Sequence, residues 1–246
     1  HADCESMYGT APTLHRSLYG GRAFEYYSED GFLSGMMCNQ QTKGMQDKGV
    51  YVVIKHLALN DQETNRHGVG IWANEQSIRE VYLEAFRPSV EDGNARSMMS
   101  SFTRFGTVWS GAYGNLNNQV LRGEWGFDGY VISDCSWRAY MGIIDGLMGG
   151  NDCILMELAA DSYVPYAENN ATVALALREA VHRILYVTVN TSAVNGIGSN
   201  TEIVQVKTWW ENALDIFLTV TIVLTSCSAA MLVTSIVIHA KGKKNS

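Results

Sequence analysis

The chain has 246 residues, 46% hydrophobic and 17% charged, with a formal net charge of -7. That composition excludes a disordered polypeptide, and the length suits one barrel-sized domain or two smaller ones. The acidic balance, with no basic stripe carrying interleaved aromatics, excludes a nucleic-acid partner.

In chain order, Ala11–His15 (APTLH) reads as a short strand entering the loop RSLYGGRAFEYYSED, residues 16–30. Gly20 and Gly21 allow a sharp turn before Arg22. The aromatics Tyr19, Phe24, Tyr26 and Tyr27, with the rigid donor fork of Arg22, suit a sugar ring. An ion pair between loop and core would leave the same pattern. Residues 31–48 read as a helix whose Phe32, Leu33, Met36, Met37 and Met45 are expected to face the core. Gly49 ends it, and Val50–Ile54 (VYVVI) is a continuous apolar run of the kind buried on both faces of a parallel sheet. The run delivers Lys55 and His56, which are costly to bury without function or partners. A polar loop, LALNDQETNRHG, follows.

Asn74 is expected to cap a helix extending to Val90. Ser97–Phe102 reads as a strand, and residues 115–125 as helical through Leu116, Val120 and Leu121. Tyr130–Ile132 is a β-branched and aromatic strand that ends on Asp134, either a helix cap or a carboxylate presented at a strand end. A helix through Met141–Leu147, a strand in Gly149–Met156 (GGNDCILM) and a long helical region over Tyr163–Val189 complete the pattern. In that last region Val173, Leu177, Val181, Ile184 and Leu185 are expected to share one face. Alternating strands and helices predict a parallel sheet or barrel with chemistry at the strand ends.

Five cysteines (Cys4, Cys38, Cys135, Cys153, Cys227) form no CxxC pair and have no zinc-like His spacing, so no metal is expected and buried free thiols are. His1 stands where an initiator Met would, so the chain is expected to be a piece of a longer protein.

GGRAFEYYSED, IKHLALNDQETNR, MMSSFTRFG and EWGFDGYVISD occur in the order and with the gaps of glycoside hydrolase family 3, the β-glucosidase and β-xylosidase family, which this sequence resembles. The resemblance implies an α/β fold: the later strands of a (β/α)8 TIM-type barrel, over residues 1–195. It implies Asp134 as catalytic nucleophile, with Arg22, Lys55, His56, Met99 and Phe102 around an oligosaccharide or β-glycoside substrate, and no cofactor. Three departures accompany it. Cys135 replaces the usual tryptophan, and Phe102 stands where many members have tyrosine. The first barrel strands, and the α/β domain with the general acid, have no counterpart here and are implied as partners. A non-catalytic, membrane-anchored carbohydrate-binding or scaffold module on the same fold is the rival reading, and an ectodomain serving only assembly is a third.

Ile216–Ile238 carries no charged residue and is long enough to span a hydrocarbon core of ~30 Å. Trp209 and Trp210 precede it, and Lys241, Lys243 and Lys244 follow. The expected organisation is a linker over 196–212, a transmembrane helix over 213–240 and a cytoplasmic tail over 241–246, with the barrel extracellular.

Overall fold

The computed structural model describes residues 6–135, 140–155, 163–191 and 207–244, with side chains to residue 236 in the last stretch. Two units result, one within residues 3–197 and one within 198–246. In chain order the first runs β1 (Ser6–Tyr8), α1 (Gly31–Gln46), β2 (Tyr51–Leu57), β3 (Gly70–Ile71), α2 (Glu75–Ser77), a π-helix over Ile78–Leu83, α3 (Arg87–Glu91) and β4 (Ser97–Ser100). It continues through β5 (Arg104–Phe105), β6 (Val108–Trp109), a π-helix over Asn115–Glu124, β7 (Tyr130–Ser133), α4 (Ile143–Met148), α5 (Val164–Asn169) and α6 (Ala171–Val189).

Strands β1, β2, β4 and β7 form one parallel sheet in that spatial order. β2, β4 and β7 are buried on both faces, which is why they are runs without polar alternation, whereas β1 leaves Met7 and Tyr8 exposed. Val52, Ile54, Met98 and Val131 point to one cluster with Phe86, Leu116 and Leu121 from the crossover helices. Val53, Met99, Tyr130 and Ile132 point the other way, to a cluster joined by Val187 of α6. Gly129 lets the chain enter β7 against its neighbour: a Cβ there would lie 2.0 Å from the Arg96 carbonyl oxygen. β3, β5 and β6 make a separate three-stranded sheet.

α1, β2, β4, β7 and the Asn115–Glu124 helix fall where helices and strands were expected. β3, β5 and β6 were not expected, and β4 stops at Ser100 rather than Phe102. The helix expected over 74–90 is divided into α2, a π-helix and α3, with Asn74 capping α2 by accepting from Ser77 N–H at 2.8 Å. Four further expectations are corrected. The first strand is Ser6–Tyr8, and Ala11 makes only a single bridge to Tyr26. Within Gly149–Met156 the described residues make one parallel bridge, Ile132 to Cys153, rather than a strand; Met156 lies outside them.

The third correction concerns α1, whose buried face is Gly31, Ser34, Gly35, Cys38, Asn39 and Thr42, while Phe32, Leu33 and Met37 are exposed. Small residues win that face because α3 comes close: a Cβ on Gly35 would stand 3.1 Å from Pro88 Cγ. The fourth concerns α6, which buries Val173, Ala180 and Val187 and exposes Val181 and Leu185. Each i+4 step advances about 40° around a helix, so three steps from Val173 carry Leu185 about 120° off the packed stripe.

Cys38 is buried and free; Cys135 and Cys153 are half-buried and free, and Cys4 lies outside the described residues. The second unit is α7 (Trp209–Lys244), of which Trp209–Ile236 is long and apolar enough to cross a membrane, with mean hydropathy 2.2. Its threonines do not leave loose hydroxyls. Thr219, Thr221, Thr225 and Thr234 each donate to the carbonyl four residues earlier, at 2.7–2.8 Å, which lowers the cost of a hydroxyl in hydrocarbon. Residues 192–206, most of the expected linker, lie outside the described residues.

Candidate active site

Because the sheet is parallel, β2, β4 and β7 end on one edge, and their ends are level. Leu57 pairs with Ser100 and Ser100 with Ser133. Asp134 N–H then donates to Ser100 O at 3.1 Å, so the carboxylate sits immediately beyond the sheet. Among the described residues it caps no helix: α4 begins at Ile143 behind Gly142. Oδ1 accepts from Cys135 N–H at 2.8 Å, while Oδ2 has no hydrogen bond among the described residues and lies 3.4 Å from His56 Nε2.

His56 reaches this point because β2 runs three residues beyond the Ile54 expected from sequence, carrying Lys55 and His56 inside the strand before Leu57 ends it. The ring is 2% exposed. Arg22 Nη1 lies 3.1 Å from His56 Nε2; a guanidinium has no acceptor, so this bond is made by the tautomer whose proton is on Nδ1, an atom buried without a partner among the described residues. Burial, then the charges of Arg22, Lys55 and Arg66, hold the His56 pKa well below its ordinary value, and the ring is neutral. Gly21, at φ +88, makes the turn that brings Arg22 here.

Two acidic residues absent from the sequence-derived set join the group. Glu25 pairs with Arg22 Nε and lies 3.2 Å from Lys55 Nζ. Glu63 lies 3.7 Å from Arg22 and 3.2 Å from Arg66. Burial works to raise the Glu25 carboxyl, and Arg22 and Lys55 outweigh it, leaving it below its ordinary range. For Asp134 burial prevails: its carboxyl is raised, although the Cys135 N–H and the charges of Arg66, Arg22 and Lys55 oppose the shift. Three cations and three carboxylates thus surround one neutral imidazole.

Arg22, Lys55, His56, Met99 and Asp134 line one cavity of about 460 Å³, with Glu25, Glu63, Arg66, Phe24 and Tyr8. Phe102 is not on its wall. It is 1% exposed, packed with Trp109, Met141 and Ile154, under the Arg66 guanidinium at 4.5 Å and against His67 at 4.6 Å. The signal for Glu25 was its i+3 spacing from Arg22, and for Glu63 and Arg66 their place in the loop after Lys55-His56. Among the described residues no cluster of His, Cys, Asp and Glu could hold a metal ion.

A model of the Glycosyl hydrolase family 3 N terminal domain matches residues 11–183. The chain belongs to glycosyl hydrolase family 3. Among family relatives, the beta-glucosidase of Ruminococcus albus is 40% identical over 132 residues, covering 54% of this chain and 14% of that protein. Beta-glucosidase BoGH3A of Bacteroides ovatus is 36% identical over 146 residues, 59% of this chain and 19% of that protein. The structure of beta-glucosidase 3B from Thermotoga neapolitana in complex with glucose superposes with a TM-score of 0.70 at 34% identity, covering 76% of this chain and 27% of that one. The GH3 beta-glucosidase of Bifidobacterium adolescentis gives 0.73 at 29% identity, covering 81% and 30%. The chain therefore spans less than a third of the length of these family 3 relatives.

Asp61, in the loop leading to Glu63, carries a separate consequence. Burial pushes its carboxyl up to about 6 against the opposing charge of Arg16. With the folded pKa raised, its stabilising contribution is present at low pH and lost as the pH rises through about 6. Asp61→Asn is expected to raise stability near neutral pH, by roughly 2–3 kcal/mol at most and with a higher thermal midpoint, and to leave it unchanged near pH ~4. Thermal melts of both proteins across pH check the sign; a variant less stable near neutral pH contradicts it.

Proposed function

We propose that this chain is part of a retaining β-glycosidase, β-glucosidase-like, that removes terminal non-reducing β-D-glycosyl residues from oligosaccharides or glycosides. The observation carrying the reading is a half-bare carboxylate at the end of β7, facing a cavity whose wall supplies Arg22, Lys55 and neutral His56. The Asp134 carboxylate attacks the anomeric carbon as the bond to the leaving oxygen breaks, and an acid from outside this chain protonates that oxygen. Water then releases the sugar from the glycosyl-enzyme. Arg22 and Lys55 donate to sugar hydroxyls, and Met99 contributes apolar wall. On this reading the four parallel strands are later strands of a (β/α)8 barrel within residues 1–195, completed by earlier strands and an α/β domain carrying the acid.

The beta-glucosidase names of the relatives support the reaction class. A 2-fluoro glycoside that traps glycosyl-enzymes should label the peptide containing Asp134 in the protein expressed from its own gene. A label on another carboxylate, such as Asp152, would sink the assignment.

The same reading makes α7 a single membrane span with the barrel outside and the lysine-bearing end, residues 241–246, inside. Its 28-residue apolar segment is about 42 Å long, ample for a ~30 Å core. A tag after Ser246 is then protected from protease in intact cells while the barrel unit is cut. Removal of the tag from outside, or recovery of the protein in the soluble fraction, reverses this topology.

A further inference from the structure

Among the described residues the Glu25 side chain makes no hydrogen bond to Asp134 or to a backbone N–H, yet both its oxygens are engaged. Oε1 accepts from Arg22 Nε, and Oε2 lies 3.2 Å from Lys55 Nζ. These two cations come from different parts of the chain, one from the loop after Gly21 and one from the end of β2. Glu25 is the carboxylate within ion-pair distance of both. Arg22 has a second acidic neighbour in Glu63 at 3.7 Å, whereas Glu25 is the acidic partner recorded for Lys55 among the described residues. An ammonium on a four-carbon stem has many rotamers, and a guanidinium directs its remaining donors only if its plane is fixed.

We infer that Glu25 is a positioning residue, holding the Arg22 guanidinium and the Lys55 ammonium in one arrangement on the cavity wall so that their free N–H groups meet the sugar hydroxyls together. The inference rests on the glycosidase reading and goes beyond it: Glu25 acts through Arg22 and Lys55 and does not take part in bond making. It has a second effect of definite sign. Glu25 contributes a negative charge beside the two cations that favour ionised Asp134, so neutralising it leaves Asp134 in a more positive field.

The test is Glu25→Gln, which keeps the shape and removes the charge, beside Glu25→Asp, in the protein expressed from its own gene. Hydrolysis of an aryl β-glucoside and trapping by the 2-fluoro glycoside are followed across pH. Glu25→Gln should lower kcat/KM about 100-fold, the scale of a misplaced substrate contact, with loss in kcat as well as KM. The acid limb of its pH profile should move to lower pH, and Glu25→Asp should restore part of the rate by holding one cation. Wild-type kcat/KM and an unmoved acid limb in Glu25→Gln, with Asp134 still labelled in wild type, overturn the positioning role alone. So does a loss of rate that follows a fall in thermal midpoint, leaves the acid limb in place and is not relieved by Glu25→Asp. A wild-type protein that is not labelled at Asp134 overturns the positioning role and the glycosidase reading together.

Discussion

Asp134→Asn is expected to lower kcat/KM for an aryl β-glucoside by ~10⁴-fold or more while leaving the protein at least as stable as wild type. The substitution keeps the side-chain shape, and its Oδ1 still accepts from Cys135 N–H, bonded at 2.8 Å in the native chain. What disappears is the charge that attacks the anomeric carbon and stabilises the oxocarbenium-like transition state. Stability moves the other way because the Asp134 carboxyl is raised by burial. Its contribution to the fold is present at acid pH and lost as the pH rises through the raised pKa, a loss that asparagine does not suffer. Lys55→Met and Arg22→Met should cost less activity, since each removes a donor and leaves the nucleophile in place. Cys135→Trp should be mild. Kinetics and thermal melts on the same preparations read both halves; normal turnover by Asp134→Asn ends the nucleophile assignment.

Asp152→Ala should produce the largest loss of stability, about 3–5 kcal/mol, the usual result of removing one partner from a buried ion pair. The Asp152 side chain is 1% exposed and serves three donors: Arg122 Nη2, Arg183 Nη1 at 2.8 Å and Val131 N–H at 2.8 Å. Burial pushes its carboxyl up and the Arg122 guanidinium down to about 10, so the pair is already held against desolvation. Two features place the cost at the lower end of the range. Arg122 keeps Asn117 O at 3.0 Å and Gly150 O at 2.9 Å, and Arg183 is exposed enough to turn to water. Denaturant unfolding in detergent measures the difference. A change below ~1 kcal/mol would mean that the carbonyls and solvent already satisfy both arginines.

The sequence was most legible where one strong pattern acts alone. The runs VYVVI and GYVIS are buried on both faces, and nothing but a parallel strand satisfies them, so β2 and β7 and the residues they carry were readable. It was least legible where two patterns compete. In α1 the apolar residues suggested a core stripe, but close approach of α3 selected the small residues, a tertiary effect that no single helix announces. In α6 a chain of i+4 apolar residues looked like one face and drifted off it. At the site, Arg22, Lys55, His56 and Asp134 were expected together and are together, whereas Phe102 lies beneath the cavity wall. Glu25 and Glu63 escaped notice because an acid among basic residues in a polar loop looks like solvated surface until the folded loops bring them onto the same cations.

The contact between His56 Nε2 and Asp134 Oδ2, at 3.4 Å, sets two lone pairs facing each other, because Arg22 has placed the ring proton on the far nitrogen. An ionised carboxylate therefore gains no hydrogen bond from its nearest ring and is asymmetric, one oxygen tethered to the backbone and the other poorly solvated. On the proposed reaction this distinguishes two otherwise equivalent atoms. The tethered oxygen steers the plane of the group, and the other, buried against His56, meets a sugar in the cavity only when the carboxyl turns.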